Sequence, residues 1–322
     1  MNATRMQLDD RRWHWQHGPI DLIVAADGDE VTLHFAHEAG WQRFSTVLAE
    51  LVSELAVLRA PLAPDAVESD NPCAGSVARR MWQACHAHRA RYITPMAAVA
   101  GSVADELIES FRQPGISRGF INNGGDIALH LTEGVTWRVG VFSDLAVFDG
   151  TPLGARESFD ANLTLDATQP VRGIATSGWR GRSFSLGIAD SVTVLARTAA
   201  DADAAATMIA NAVNLDHAGI MRRPASSLKD DSDLGDMLVT AGVPPLPQPL
   251  IDFALASGAR EAARLRECGL IVSAALFLQR RARVVGVMDR GASTPAVPVA
   301  CTNGMPHIIP ETEAPCSKYA AC

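Results

Sequence analysis

The chain has 322 residues, of which 48% are hydrophobic and 20% are charged, and its formal net charge is −8 at pH 7. This composition is typical of a globular protein, and acidity without a basic stripe argues against a nucleic-acid partner held through phosphates. Residues 1–16 lack the apolar region of a secretory signal, and no apolar run is long enough to span a membrane. A cytoplasmic protein with free cysteines is therefore expected.

The first part of the chain predicts a hairpin followed by helices. Strands at 20–24 and 31–35 flank Asp27-Gly28-Asp29, a typical tight-turn sequence. Apolar residues at three- and four-residue spacing predict an amphipathic helix over 38–58, and a second helix is expected over 76–90. Small residues dominate 94–105, where Pro95 suits the first turn of a helix and another backbone or a ligand could approach closely.

Strands and helices mix in the rest of the chain. The remaining predicted elements are strands at 119–122, 127–131, 136–142, 158–165, 172–175, 183–186, 191–196 and 270–279, helices at 200–213 and 249–268, and a loop-like region over 224–248. Because regular βαβ alternation is missing, the predicted fold class is α+β, with mixed or antiparallel sheets and packed helices. One domain is expected over 1–285, and the aperiodic segment 286–322 is predicted to be a poorly ordered tail.

Two glycine-containing segments lie beside predicted strands. Asn122-Asn123-Gly124-Gly125-Asp126 suits a hairpin turn, because Asn and Gly tolerate positive φ. The same segment could instead form a nest of N–H groups facing a phosphate or a flavin edge. Ala175-Thr176-Ser177-Gly178 could likewise be a turn, or could donate two hydroxyls to an anionic oxygen. With no Gly-x-Ser-x-Gly motif, no serine nucleophile is predicted, and the catalytic residues stay unassigned.

Asp203 and Thr207 are four residues apart in the predicted alanine-rich helix, so they lie on one helical face. A carboxylate and a hydroxyl are hard oxygen donors that suit Mg²⁺. The alternative is structural, since an aspartate near a helix N-terminus favours the dipole and a threonine within a helix often bonds its own backbone. Asp201 lies off this face. The acidic stretch 230–233 lacks the layout of an EF-hand and is expected to be exposed.

Four short motifs occur in order along residues 99–207. They are Val99-Ala100-Gly101-Ser102-Val103-Ala104-Asp105, Gly124-Gly125-Asp126, Thr176-Ser177-Gly178 and Ala202-Asp203-Ala204-Ala205-Ala206-Thr207. Together they resemble the ApbE-like superfamily of FAD:protein FMN transferases, whose motifs are Ala-Lys-Gly-x-x-x-Asp, Gly-Gly-Asp, Thr-Ser-Gly and Ala-Asp-x-x-x-Thr.

The UPF0280 branch is a closer resemblance, and it extends over residues 10–285. It is carried by Ile93-Thr94-Pro95-Met96-Ala97-Ala98-Val99-Ala100-Gly101, Ser232-Asp233-Leu234-Gly235 and Leu238-Val239-Thr240.

The resemblance implies a site where the pyrophosphate of FAD meets Mg²⁺. Asp203 and Thr207 are the implied side-chain ligands of the metal, joined by a main-chain carbonyl near Val99. The residues implied to bind the flavin are Gly101, Asp105, Gly124, Gly125, Asp126, Thr176, Ser177 and Gly178. FAD or FMN and Mg²⁺ are therefore the expected cofactors.

The chain departs from the transferase pattern at two places. Ala100 stands where the superfamily motif has lysine, and Ser177-Gly178 is followed by Trp179-Arg180 without the His-Ile-Ile-Asp-Pro-x-Thr-Gly segment. These departures favour a protein that binds a flavin or a related nucleotide without transferring it. The alternatives are a Mg²⁺-dependent transferase that modifies a Thr or Ser of a partner protein, and an enzyme of unrelated chemistry on the same scaffold. The oligomeric state stays open.

Overall fold

The computed structural model describes residues 2–9, 11–141, 161–230, 232–286 and 308–309. Predictions that fall on other residues, among them most of the tail expected over 286–322, lie outside the described residues. Within the described chain, no helix has both the length and the apolar character needed to cross a membrane.

The described residues form fourteen strands. They are β1 (Thr4–Gln7), β2 (Arg12–His17), β3 (Ile20–Gly28), β4 (Ile116–Asn123), β5 (Asp126–Leu131), β6 (Thr136–Val141), β7 (Ala161–Asp166), β8 (Gly173–Ser177), β9 (Ser191–Ala196), β10 (Met221–Pro224), β11 (Leu238–Gly242), β12 (Ser273–Leu278), β13 (Arg281–Val285) and β14 (Ile308–Ile309). The α-helices are α1 (Glu30–Ser53), α2 (Leu55–Leu58), α3 (Ser76–His86), α4 (Val99–Ile108), α5 (Ala199–Ala212) and α6 (Gln248–Glu267). A short 3₁₀ helix, Pro95–Ala98, leads directly into α4.

One antiparallel sheet extends through the described part of the chain. Its nine strands follow the order β1-β2-β3-β4-β5-β8-β9-β12-β13. Strands β14, β6 and β7 form a second sheet, and β10 pairs with β11. The predicted fold class, α+β with antiparallel sheets and packed helices, is therefore confirmed.

The two faces of the large sheet are covered differently, as strand β5 illustrates. Ile127 and Leu129 pack in one apolar cluster with Trp137 of the small sheet. Ala128 points to the other face and packs in the cluster that contains residues of α4 and α5. Because successive side chains alternate across a strand, Asp126 shares the helix-covered face with Ala128.

Two predicted elements are wrong, and several strands were missed. Instead of the second hairpin strand at 31–35, β3 runs to Gly28, and Asp29 caps α1 by accepting from the Thr32 amide at 2.9 Å. The segment 183–186 is not a strand, and its Leu186 amide donates to Oδ1 of Asn211. The sequence reading also missed β1, β2, β10, β11 and β13. The helices predicted at 200–213 and 249–268 are confirmed to within one residue at each end.

Candidate functional site

The Asn-Gly-Gly-Asp segment forms the turn between β4 and β5. Asn123 pairs with Asp126, and the two glycines between them have φ values of +69° and +110°. The predicted hairpin turn is thus confirmed, and glycine adopts these positive φ angles without strain. The amide of Gly125 donates to Oδ1 of Asn122 at 2.9 Å. Asn123 Nδ2 donates to the Ala100 carbonyl at 3.1 Å, which ties the turn to the start of α4.

Helices α4 and α5 cap each other where they cross. Both carboxylate oxygens of Asp105, on α4, accept from the first amides of α5, those of Ala199 and Ala200, at 3.0 and 2.9 Å. In return Oδ2 of Asp203, on α5, accepts from the amide of Gly101 at 3.0 Å. The Gly101 amide is one of the N–H groups that the first turn of α4 leaves without an intrahelical acceptor.

Glycine is required at this crossing. A Cβ on Gly101 would lie 2.2 Å from the carbonyl oxygen of Ala199, which is backbone and cannot change rotamer. Asp105 is buried and fully engaged with α5, so in this structure its carboxylate serves the helix contact. Burial raises the pKa of Asp105 to about 6, although the two amides that it accepts from act in the opposite direction.

Asp126 and Asp203 form the electrostatic centre of the site. Asp126 begins β5 and accepts from the Thr176 amide at 3.2 Å. Burial raises the pKa of both carboxyls, and the negative charge of Asp126 raises the pKa of Asp203 further. Among the described ion pairs, none involves either residue. Arg182 partly offsets the charge of Asp126 without a described ion pair, and two carboxylates close enough to repel each other are an arrangement that a bound cation would stabilise.

The Thr-Ser-Gly segment ends β8 beside Asp126. The hydroxyl of Thr176 hydrogen-bonds that of Thr193 at 2.9 Å, and its amide donates to Asp126. Ser177 is partly exposed. A Cβ on Gly178 would lie 2.4 Å from the carbonyl oxygen of Asp190, so only glycine allows the two backbones to come this close.

The predicted metal ligands fit Mg²⁺ in their chemistry. Val99 and Thr207 are both partly exposed, at the first residue of α4 and one turn beyond Asp203 on α5. No group of three or more His, Cys, Asp or Glu side chains suited to a metal occurs in the described ranges. A cation here would depend on few protein oxygens and complete its coordination with water and phosphate, which is the usual mode of Mg²⁺.

Asp233 is a nearby residue that sequence reasoning placed wrongly. It was expected on an exposed acidic loop, but it is partly buried, with Oδ2 accepting from Thr94 Oγ1 at 2.5 Å and its carbonyl accepting from Tyr92 at 3.0 Å. Thr94 immediately precedes the 3₁₀ helix Pro95–Ala98, so its hydrogen bond places Asp233 near the start of α4. One indication of this contact was present in the sequence: Thr94 and Asp233 both lie in segments that carry the resemblance to UPF0280.

Comparisons with known proteins identify the family of this chain. The model of the family described as AbpE bacteria matches residues 4–287. A UPF0280 protein of Methanothrix thermoacetophila is 31% identical over 253 residues, which are 76% of this chain and 98% of that protein. A UPF0280 protein of Methanoregula boonei is 36% identical over 164 residues, 50% of this chain and 65% of the relative. The crystal structure of Pseudomonas stutzeri flavinyl transferase ApbE, apo form, is similar with a TM-score of 0.41 and 12% identity, over 87% of this chain and 96% of that chain.

Proposed function

Since this chain belongs to the UPF0280 family of the ApbE-like superfamily, we propose that it binds a flavin nucleotide, FAD or FMN, together with Mg²⁺. The site is the surface where the β4–β5 turn, the end of β8 and helices α4 and α5 meet. The pair Asp126 and Asp203 is the observation that carries the proposal.

The aspartate pair explains why a cation is needed. Burial raises the pKa of both carboxyls, and for Asp203 the charge of Asp126 raises the pKa further. A divalent cation removes this repulsion and at the same time offsets the charge of a pyrophosphate group. In this proposal Asp126, Asp203, Thr207 and the carbonyl of Val99 supply the protein oxygens.

The flavin is proposed to lie against the backbone of the two glycine-containing segments. Gly124 and Gly125 have no side chain that would keep a ring or phosphate away from the main chain, whereas Gly178 allows the close approach to the backbone of Asp190. The partly exposed hydroxyl of Ser177 is available as a hydrogen-bond donor beside them. Gly101 and Asp105 contribute indirectly, because they hold α4 against α5.

Binding without transfer is the activity that we favour. Ala100 places no cation at the start of α4, where the superfamily motif has lysine. The connection between β8 and β9 covers only residues 178–190, and the amide of Trp179 donates to the carbonyl of Ala189 within it. This short connection has no counterpart of the longer transferase segment.

Titration of FAD with the purified protein, followed by flavin fluorescence with Mg²⁺ or with EDTA, tests the proposal. We expect Mg²⁺-dependent binding, and a loss of about tenfold or more in affinity for Asp203→Asn. Asparagine keeps an acceptor for the Gly101 amide but removes the charge. Asp201→Asn, on the same helix but off this face, is the matched control and should bind as the wild type does.

Equal FAD affinity in EDTA, or unchanged affinity in Asp203→Asn, would contradict the metal assignment. Release of AMP from FAD in the same mixtures would favour the transferase alternative, with a Thr or Ser of a partner protein as the acceptor.

A further inference from the structure

We propose that a second site, distinct from the flavin site, binds a small phosphorylated molecule. This basic groove is formed by Arg112, His130, Arg172 and Arg197, and its volume is about 820 Å³. Arg112 follows the end of α4 that lies away from Gly101, so the groove and the aspartate pair are at opposite ends of this helix.

The three arginines come from separate parts of the chain. Arg112 follows the 3₁₀ turn after α4, Arg172 precedes β8, and Arg197 lies between β9 and α5. None of the described residues that line the groove is acidic. In a protein with a net charge of −8, such a local excess of positive charge is unusual and marks a surface suited to an anion.

The cationic groups of the groove are close enough to repel one another. Burial lowers the pKa of Arg172, and the neighbouring Arg112 lowers it further. Burial also lowers the pKa of His130, and the charges of Arg112 and Arg172 lower it further. An anion bound among these groups would replace the mutual repulsion with attraction.

The guanidinium groups are held in place by the protein. Arg172 donates from Nη1 to the carbonyls of Gln169 and Val171 and from Nη2 to that of Ala167, at 2.7–3.0 Å. Arg197 donates to the carbonyl of Gly269 at 2.7 Å. These carbonyls fix the orientation of the side chains without neutralising them, so little conformational entropy remains to be lost on binding.

The acidic groups around the groove leave its positive charge in excess. Glu109 pairs with Arg112 at 2.7 Å, but its side chain is 53% exposed, and exposed pairs are screened by water and salt. Asp166 raises the pKa of Arg172 without forming an ion pair with it in the described structure.

Phosphate is the anion that this arrangement fits. Guanidinium groups bind phosphate oxygens through paired N–H donors, and three of them can contact several oxygens of one ligand. The volume is within the range of small-molecule pockets. We therefore infer a small molecule that carries more than one phosphate.

Isothermal titration calorimetry with tripolyphosphate, at low ionic strength and in EDTA, tests this inference. EDTA suppresses any contribution of the Mg²⁺-dependent flavin site. We expect saturable binding to the wild-type protein, weakened about tenfold in Arg112→Gln and in Arg197→Gln. Arg283→Gln makes the same charge change on the exposed edge strand β13 and should leave the affinity unchanged.

A histidine titration gives an independent reading. NMR of the His130 ring should show its pKa rising when tripolyphosphate is added, because a bound anion stabilises the protonated ring. The proposal is overturned if the wild type binds no tripolyphosphate, if both arginine variants bind it normally, or if citrate binds as tightly, since citrate carries carboxylates only. Failure of these tests leaves the flavin proposal untouched, because that proposal concerns other residues and requires Mg²⁺.

Discussion

Gly101 shows how one residue position links the packing of the fold to the chemistry of the site. Its lack of a side chain lets the first turn of α4 approach the backbone of Ala199, and this approach brings the Gly101 amide to Asp203. The carboxylate that we assign to the metal is therefore positioned by a helix contact. The structural and functional interpretations of Asp203 are compatible, because a carboxylate has several lone pairs and can accept from the amides of Gly101 and Ala100 while it also contacts a cation.

Gly101→Ala should destabilise the protein by about 2 kcal/mol, since the new methyl group meets backbone atoms that can move only if the helices separate. Alanine has the higher helix propensity, so any loss of stability reports the steric clash of its methyl group with the backbone of Ala199. Urea denaturation gives the change in the free energy of unfolding. Gly40→Ala is the control, because its Cβ would meet side-chain ring carbons and no backbone, with Trp15 nearest at 3.1 Å and Phe111 at 3.5 Å. Comparable stability of both variants would contradict the required close approach.

At the scale of elements, the start of α5 is held by two caps of different origin. Thr198 caps it locally, by accepting from the Asp201 amide at 3.1 Å. Asp105 caps it from another helix, through two amides. Thr198 is next to α5 in sequence, so its capping role can be predicted locally. Asp105 is about 95 residues away, so its contact with α5 could not be predicted, and the motif resemblance alone assigned it to the flavin pocket.

Asp105→Ala should therefore destabilise the fold more than Thr198→Ala does. We expect about 2–3 kcal/mol for the first, which leaves two buried amides without acceptors, and about 1 kcal/mol for the second. Thermal or urea unfolding, followed by circular dichroism, measures both. If Asp105→Ala were as stable as the wild type, the carboxylate would not be serving as a helix cap.

Local patterns predicted α5 and α6 closely, missed the first two turns of α1, and predicted the strands unevenly. The alanine-rich α5 and the amphipathic α6 have strong helical signals within their own sequence. The turn expected at Asp27-Gly28-Asp29 failed because Asp29 is also a good N-cap, and Glu30 after it favours a helix start. Strand β1 is exposed on both sides, so its side chains carry no alternating apolar pattern to detect.

At the scale of the whole molecule, strand order creates the site. Asp126 and Asp203 are far apart in sequence and meet because β8 pairs with β5, and α5 packs on the face to which Asp126 points. The motifs singled out Asp203 as a metal ligand but placed Asp126 in the flavin pocket. No local pattern reports which strands become neighbours, so the carboxylate pair could not be predicted from the sequence.

The aspartate pair should leave a signature in the pH dependence of stability. Burial raises the pKa of Asp126 to about 7, so the folded state retains a proton that the unfolded state loses near pH 4. Its contribution to stability is therefore lost as the pH rises from about 4 to 7. His37 and His88, whose pKa values burial lowers to about 4, oppose this trend, but they cancel when a variant is compared with the wild type.

Asp126→Asn, which keeps an acceptor for the Thr176 amide, should match the wild type at pH 4 and become the more stable of the two towards pH 8. Without the charge of Asp126, the pKa of Asp203 also falls, which adds to the gain. Urea denaturation in EDTA at several pH values measures the difference, which we expect to exceed about 1 kcal/mol at pH 8. Mg²⁺ at pH 8 should stabilise the wild type and not the variant, because binding to the folded state alone shifts the unfolding equilibrium. If the difference in the free energy of unfolding between the variant and the wild type did not vary with pH, the charge of Asp126 would not be destabilising the folded state.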